Sequence, residues 1–251
     1  MANPNTKIVY LETPANPTMS VIDIQETVRI AHAHGASVVV DNTFATPVLQ
    51  RPLSMGADVV VHSTTKFING HGTVIGGALA SRNPDFIEEG GGALLRYMGA
   101  VPSALDCWLT SIGLKTLPLR MREHCSNARA LASLLESSDK VGRTYWPGLQ
   151  SHPQHDVATK QMDDFGAMLT IDLGDAISAC RFMDALEMSS LAVSLGNVDT
   201  LVQHPTSMTH RLMTEEDRLA VGITPGMIRI SVGIESPEDI ISDFERALEH
   251  V

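Results

Sequence analysis

Short apolar runs alternate with one amphipathic stretch over the first sixty residues. Residues 7–11 form an apolar run, and residues 22–34 carry apolar side chains at helical spacing before Gly35, a typical C-terminal cap. Residues 37–40 and 59–61 are continuously apolar, as expected of strands covered on both faces. Strand, helix and strand with such connections predict a parallel sheet, whose ligands lie beyond the carboxyl ends of the strands.

A second pattern begins at Ser103, which we predict to cap a helix over residues 104–135, with Gly113 and Pro118 as interruption points. A final helix is predicted to start at Ser236, followed by Pro237 and two acidic residues. Between them we predict strands at residues 143–146, 168–173 and 228–232 and a helix at 176–186. We place a domain boundary at residue 115, which divides the chain into residues 1–115 and 116–251.

Composition narrows the possible functions. The 251 residues are 43% hydrophobic and 19% charged, which is typical of a globular chain. A net charge of −11 argues against nucleic acid and acidic membranes as partners. No apolar run approaches the roughly 18 residues of a membrane span, and no secretory signal opens the chain. Three widely spaced cysteines predict a cytoplasmic location without disulfides. The scattered histidines share no ligand spacing, so no metal site is predicted.

Lys66 directly follows the third predicted strand. It lies among Ser63, Thr64, Thr65 and glycines, whose hydroxyls and exposed backbone amides are suited to holding a phosphate. Desolvation or a neighbouring cation would lower the pKa of such a lysine and make its amine nucleophilic toward an aldehyde. The segment alone leaves an ordinary surface lysine in a polar loop equally open.

Asp41 ends the second predicted strand, one strand before Lys66. A carboxylate at the end of a buried strand is costly unless it meets a positive partner. The protonated ring nitrogen of pyridoxal phosphate (PLP) is such a partner, and proteins hold this cofactor with an acidic residue and a Schiff-base lysine. The alternative for Asp41 is a loop cap made by its own side chain.

Several segments together resemble one enzyme family. They are residues 12–18 (ETPANPT), 41–43 (DNT), 62–71 (HSTTKFINGH), 99–103, 106–107, 113–117, 120–121, 194–196, 204–210 and 229–235. In this order they resemble the Cys/Met-metabolism family of PLP enzymes, which includes cystathionine γ-synthase, cystathionine γ-lyase, methionine γ-lyase and the O-acylhomoserine sulfhydrylases. The resemblance implies the α/β architecture of fold-type I PLP-dependent transferases: an incomplete, mainly parallel sheet domain followed by a smaller α+β C-terminal domain.

The resemblance also implies roles for individual residues. Lys66 looks like the lysine that binds the cofactor and then moves protons between substrate carbons. Asp41 looks like the partner of the pyridine nitrogen. Ser63 and Thr65 look like phosphate ligands, and Asn16 resembles the residue that hydrogen-bonds the ring hydroxyl.

Arg229 lies in the last predicted strand. Ile228 and Ile230 alternate onto one face, so Arg229 points to the other. A guanidinium binds a carboxylate through two parallel hydrogen bonds. An isolated arginine is more often part of a surface ion pair, but the resemblance implies that Arg229 holds the α-carboxylate of an amino acid, with Ser194 as a second contact.

The reaction implied is γ-elimination or γ-replacement on methionine, cystathionine or O-acylhomoserine, and we favour a methionine or cystathionine γ-lyase. Cystathionine-handling members often carry a glutamate where this chain has Val193, so Val193 favours methionine. Residues 99–103 with Asp106 and Cys107 instead resemble cystathionine γ-lyase or synthase. Cystathionine γ-synthase and O-acylhomoserine sulfhydrylase therefore stay open.

The chain starts where the family's cofactor domain is already advanced. The resemblance implies that an N-terminal arm, a glycine-containing phosphate loop and a ring-stacking tyrosine are missing, and we interpret the chain as truncated. We expect an exposed sheet edge and apolar faces, and the family's homotetramer only if the missing region is supplied. The rival hypothesis is a catalytically inactive remnant that only folds or oligomerises. A dinucleotide-binding enzyme is disfavoured because no G-x-G-x-x-G follows the first strand.

Overall fold

The first part of the chain forms a four-stranded sheet in the computed structural model, which describes residue 3 and residues 5–251. The strands lie side by side in chain order. Three are parallel and the last is antiparallel to its neighbour, so the mainly parallel sheet predicted from the sequence is confirmed. They are β1 (Ile8–Glu12), β2 (Ser37–Asp41), β3 (Val59–Ser63) and β4 (Gly77–Ser81).

The register of this sheet places the candidate chemistry at one edge. Glu12 lies opposite Asp41, and Asp41 lies opposite Val61, two residues before Ser63. Because side chains alternate between the two faces, Glu12, Asp41 and Ser63 all lie on the same face near the carboxyl ends of their strands.

Helix α1 (Ile24–Ala33) connects β1 to β2 and buries one apolar stripe, which includes Ile24 and Val28. It begins two residues later than the hydrophobic pattern predicts, because Asp23 accepts a hydrogen bond from the Glu26 backbone and caps the helix. Gly35 has a φ of +69°, as predicted for the end of this helix. Two shorter α-helices follow in this part of the chain, α2 (Thr46–Leu49) and α3 (Gly92–Met98), together with a 3-10 helix at Pro52–Met55 and a π-helix at Phe86–Gly91.

Helix α4 (Ala104–Ser137) runs through the predicted domain boundary without a break. Ser103 and Asp106 form a reciprocal capping box at its start. The predicted interruptions at Gly113 and Pro118 are wrong. Gly113 instead allows close packing, because a Cβ there would lie 2.1 Å from the carbonyl oxygen of Asn69. The boundary at residue 115 thus falls in the interior of a continuous helix.

The C-terminal part forms a second, mostly antiparallel sheet. Only the outermost pair of its strands, at one edge, is parallel. In spatial order the strands are β5 (Arg143–Tyr145), β6 (Met168–Asp172), β9 (Met227–Ser231), β8 (Leu201–Gln203) and β7 (Ser190–Leu191). The helices of this part are α5 (His155–Gln161), α6 (Ala176–Ala185), α7 (Glu215–Ala220) and α8 (Pro237–Leu248). Ser236 caps α8 as predicted.

The second half of α4 packs with α6, α8 and the second sheet around one hydrophobic core. Leu131 and Leu135 are fully buried there, and the rings of Phe182 and Phe244 meet edge to face with their centroids 5.6 Å apart. This part of the chain thus has a core of its own.

The first sheet is less well covered. Tyr10 on β1 and Leu79 on β4 are 57% and 52% exposed, which agrees with the expected exposure at the sheet edges. Large apolar side chains near the start of α4 are also exposed. Over the described residues, no helix combines the length and the apolar character that crossing a membrane requires.

Candidate active site

Lys66 lies on the turn that follows β3, at the carboxyl edge of the first sheet. The turn is closed by hydrogen bonds from Lys66 N to Ser63 O (3.2 Å) and from Gly70 N to Lys66 O (2.8 Å). The side chain is half-buried. Burial, and then the positive charge of Arg229, lower the pKa of Lys66 below its ordinary value. At a given pH, a larger fraction of this amine is therefore neutral and nucleophilic than on a surface lysine.

Arg120 of α4 holds this turn (residues 63–70, called the lysine turn below) through its side chain. Its buried guanidinium donates to Phe67 O (2.8 Å), to Ile68 O (3.3 Å) and to Gly113 O (2.8 Å). Arg120 belongs to one of the family-like segments, but no role was predicted for it. The carbonyls of Phe67 and Ile68 lie more than fifty positions away in the chain, so no local pattern indicates these contacts.

Asp41 is held by donors on both of its oxygens. Oδ1 accepts from Thr43 N (3.0 Å) and Thr43 Oγ1 (2.5 Å), and Oδ2 accepts from the hydroxyl of Tyr10 (3.2 Å). Neither partner was predicted from the sequence. Thr43 follows Asp41 by two residues, the spacing of a side-chain turn, and Tyr10 shares a strand face with Glu12, so two local signals were present.

The two predicted phosphate ligands differ in their surroundings. Ser63 donates its backbone N–H to Thr43 Oγ1 (2.9 Å). By the strand register, its side chain lies on the face that carries Asp41. The hydroxyl of Thr65 accepts from Gly76 N (2.9 Å) and donates to Gly76 O (3.3 Å). Thr65 thus closes the loop before β4, and its hydroxyl proton is already engaged.

The turn after β1 carries Asn16 and contacts the second sheet. Asn16 Oδ1 accepts from Arg229 Nη1 (3.1 Å), while its backbone N–H donates to Glu12 Oε1 (3.1 Å). Pro17 O accepts from the Thr170 hydroxyl of β6 (2.6 Å). Since Arg229 occupies the amide oxygen, the amide nitrogen of Asn16 is the group available to a ligand.

Arg229 lies on the central strand β9 and is only 2% exposed. Its Nη2 donates to the backbone oxygen of Ser194 (2.9 Å), so Ser194 positions the guanidinium through its main chain. Burial lowers the pKa of Arg229 to about 10, which leaves it a cation at neutral pH. Its buried Nε has no partner among the described residues. A buried cation with a free donor fits an anionic ligand.

A loop of the second sheet lies directly on the lysine turn. At Gly196, whose φ is +76°, a Cβ would lie 2.6 Å from Phe67 N. Gly196 N donates to the Ser231 hydroxyl (2.8 Å), and Val198 N donates to Gly70 O (3.0 Å). These contacts bring the two sheets together beside Lys66. The charge of Arg229 acts on Lys66, and the charges of both Asp41 and Arg229 act on Glu12, so these groups lie near the same junction.

The donor set fits PLP. Lys66 provides an amine of lowered pKa, Asp41 a hydrogen-bonded carboxylate, and Arg229 a buried cation with an unpartnered donor. The described residues include no group of three or more His, Cys, Asp and Glu side chains arranged to hold a metal ion.

Comparison with known proteins gives the same family along the chain. The sequence pattern of the family "Cys/Met metabolism PLP-dependent enzyme" matches residues 1–249. An L-methionine gamma-lyase of Fusobacterium nucleatum subsp. polymorphum is 48% identical over 250 residues, which are 98% of this chain and 63% of that protein. A cystathionine beta-lyase of Lactococcus lactis subsp. cremoris is 46% identical over 97% of this chain and 64% of its own.

Solved structures share the fold. The crystal structure of a cystathione gamma lyase from Micromonospora echinospora has a TM-score of 0.95 and 47% identity over 98% of this chain and 65% of that one. The chain therefore spans somewhat less than two thirds of the length of the relatives that it matches. The fold class expected from the sequence is confirmed by this likeness.

Proposed function

Because the chain belongs to the Cys/Met metabolism family of PLP-dependent enzymes, we propose that it carries the lysine-bearing active site of an enzyme acting on sulfur-containing amino acids. The observation that supports this most is the convergence of Lys66, Asp41 and Arg229 from two separate sheets. Bringing a buried cation, a half-buried lysine and a carboxylate to one junction costs desolvation, and a ligand with complementary charges would offset that cost.

In this proposal the cofactor is held mainly by residues of the first sheet. Asp41 would pair with the pyridine nitrogen, Asn16 would donate its amide N–H to the ring hydroxyl, and Lys66 would supply the amine that holds the cofactor. Ser63 and Thr65 are the predicted phosphate ligands, and Ser63 would bind the phosphate with its hydroxyl. Because the Thr65 hydroxyl already donates to Gly76 O and accepts from Gly76 N, its main contribution would be to shape the loop before β4.

Substrate binding and proton transfer fall to residues at the junction of the two sheets. Arg229 binds the α-carboxylate of the amino acid, and Ser194 orients Arg229 through its carbonyl oxygen. When bound, PLP supplies an electron sink for the charge that develops at the substrate α-carbon. Lys66 Nζ accepts the α-proton and moves protons between substrate carbons, and its lowered pKa favours the neutral amine that can accept them.

We propose γ-elimination or γ-replacement on methionine, cystathionine or O-acylhomoserine, with a methionine or cystathionine γ-lyase activity favoured. Val193, beside Ser194, is 58% exposed and presents an apolar surface, which supports a thioether substrate. Relatives named for γ-lyase and for β-lyase chemistry are almost equally similar to this chain. Elimination at the β-carbon therefore joins synthase and sulfhydrylase activity among the alternatives.

A second candidate is a folded chain without catalysis. The exposed apolar side chains of β1, β4 and the start of α4 support it, because they leave the first sheet partly uncovered. Homo-oligomerisation and the cytoplasmic location stay predictions.

The deciding experiment compares the chain with Lys66→Ala after addition of PLP. A visible absorption band, fixed covalently at Lys66 by borohydride, is expected for the wild type and not for the variant. Lys115→Ala, which removes an exposed lysine on α4, is the matched control and should behave as wild type. Release of 2-oxo acid from methionine, cystathionine or O-acylhomoserine would then identify the substrate. No band, or a band that is indifferent to Lys66, would favour the second candidate.

A further inference from the structure

Tyr10 is a residue that family-based assignment leaves without a role. It lies on the edge strand β1 and is 57% exposed, so burial of its ring does not explain its position. Its hydroxyl donates to Oδ2 of Asp41 over 3.2 Å, across 31 positions of sequence. The contact links an edge strand to the carboxylate that is assigned to the cofactor ring.

The position of Tyr10 follows from the strand geometry. Glu12 lies opposite Asp41 in the parallel pair, and Tyr10 precedes Glu12 by two residues, so all three side chains lie on one face. Burial, the charge of Asp41 and the hydrogen bond to it raise the pKa of Tyr10 above its ordinary value. The phenol therefore stays protonated and serves as a donor at every pH at which the protein would work.

The two oxygens of Asp41 are held in different ways. Thr43 is close in the chain and fixes Oδ1 with two donors, whereas only Tyr10 reaches Oδ2 in the described part of the structure. A carboxylate oxygen has room for two donors, so Oδ2 accepts the phenol and still has a lone pair for a ring N–H. Without the phenol, only the two Thr43 bonds to Oδ1 would orient the carboxylate, and Oδ2 would have no donor of its own among the described residues.

We propose that Tyr10 is a positioning residue for Asp41: its hydroxyl orients Oδ2 toward the pyridine nitrogen and so strengthens cofactor binding. This inference rests on the proposed function. It assigns to Tyr10 a contribution to PLP affinity that acts through Asp41 and not through direct contact with the substrate.

Titration of PLP into the purified chain, followed by visible absorption, tests the proposal. Tyr10→Phe keeps the ring and removes only the hydroxyl, and we expect PLP affinity to fall about three- to tenfold, the usual net effect of losing one hydrogen bond. The absorption maximum of bound PLP should also shift, because Asp41 would pair less well with the ring nitrogen. The urea midpoint of the cofactor-free protein should not change. Tyr97→Phe, which alters a residue that is 81% exposed, is the control.

A second measurement examines the contact without cofactor. The phenol ionisation of Tyr10, taken from the difference in ultraviolet pH titration between wild type and Tyr10→Phe, should move to lower pH when Asp41→Asn is introduced. An unmoved titration would overturn the contact and the proposal with it.

The outcomes separate this inference from the proposed function. Wild-type affinity in Tyr10→Phe, or weaker binding that is matched by an equal loss of unfolding stability, would overturn the positioning role alone. A wild-type chain that takes up no PLP would overturn the proposed function, and the role of Tyr10 with it.

Discussion

The two halves of helix α4 lie in opposite environments. Leu131 and Leu135, in its second half, are fully buried between α8 and the second sheet. Leu105 and Trp108, in its first half, are 61% and 60% exposed. One uninterrupted helix thus passes from a closed core to an apolar surface without cover in the described structure. Since the helix is continuous, the difference reflects what each half packs against and not the helix itself.

The two parts of the molecule contribute differently to folding and to the candidate site. The C-terminal sheet with α4, α6 and α8 has the better-filled core, while the first sheet supplies Lys66 and Asp41. The site lies at the junction and depends on both parts. Changes in the C-terminal core should therefore affect folding, and changes at the junction should affect folding and cofactor binding together.

The largest effect is expected in the C-terminal core. Phe244→Ala removes a fully buried ring and its edge-to-face partner, so the free energy of unfolding should fall by about 3–5 kcal/mol. Trp108→Ala removes a larger but mostly exposed ring and should change it by less than about 0.5 kcal/mol. Urea unfolding followed by circular dichroism measures both. Equal losses would mean that the two halves of α4 do not differ as described.

A smaller loss is expected at the junction. Arg120→Met would remove the donor from the carbonyls of Phe67 and Ile68, at a cost of about 2–3 kcal/mol, while Gly113 O would keep its bond from the Thr116 hydroxyl. Because two of these carbonyls belong to the lysine turn, PLP binding should weaken as well. Arg122→Met changes an exposed arginine on the same helix and should alter neither property. Weaker folding with unchanged PLP binding would contradict the supporting role of Arg120.

The smallest effect concerns how the free energy of unfolding changes at acidic pH. Burial alone would raise the pKa of Asp243, but the backbone donors of Glu187, Ser189 and Met188 outweigh it and hold the pKa below its ordinary value. A lowered pKa in the folded state stabilises the protein above the ordinary carboxyl pKa of about 3.9, and the contribution is lost as the pH falls through the folded value.

Asp243→Asn should therefore cost about 1–2 kcal/mol at pH 7, and the difference from wild type should shrink on acidification to pH 3. Urea midpoints at the two pH values give this difference. Asp184→Asn, which alters an exposed carboxylate on α6, should show no such pH dependence. A pH-independent cost for Asp243→Asn would mean that lost packing, and not lost charge, is responsible.

Local patterns were sufficient for much of this fold. The runs of valine located β2 and β3, and Ser103 and Ser236 marked the starts of α4 and α8. Tertiary contacts decided what the patterns could not. Gly113 looked like a helix break, but it is the point where α4 meets the carbonyl of Asn69. Strand β4 was not predicted, because its exposed residues lack the period of a half-buried strand.

The candidate site shows the same limit. Lys66 and Asp41 could be selected because each follows an apolar strand, and Arg229 because it interrupts one. The main-chain role of Ser194 and the support from Arg120 depend on contacts between distant segments. Residue type and spacing carry no record of such contacts.

The unbroken helix α4 also limits how the site can move. With 34 residues it is about 50 Å long, and it contacts both the turn after β3 and the C-terminal core. The predicted boundary at residue 115 thus offers no flexible linker as a hinge, so separation of the two sheets at this position would require the helix to bend. Pro118 marks the place where bending costs least, because it has no N–H to donate to the carbonyl of Leu114. A continuous helix that contacts both the turn after β3 and the C-terminal core therefore favours a preset site over one that closes around its substrate.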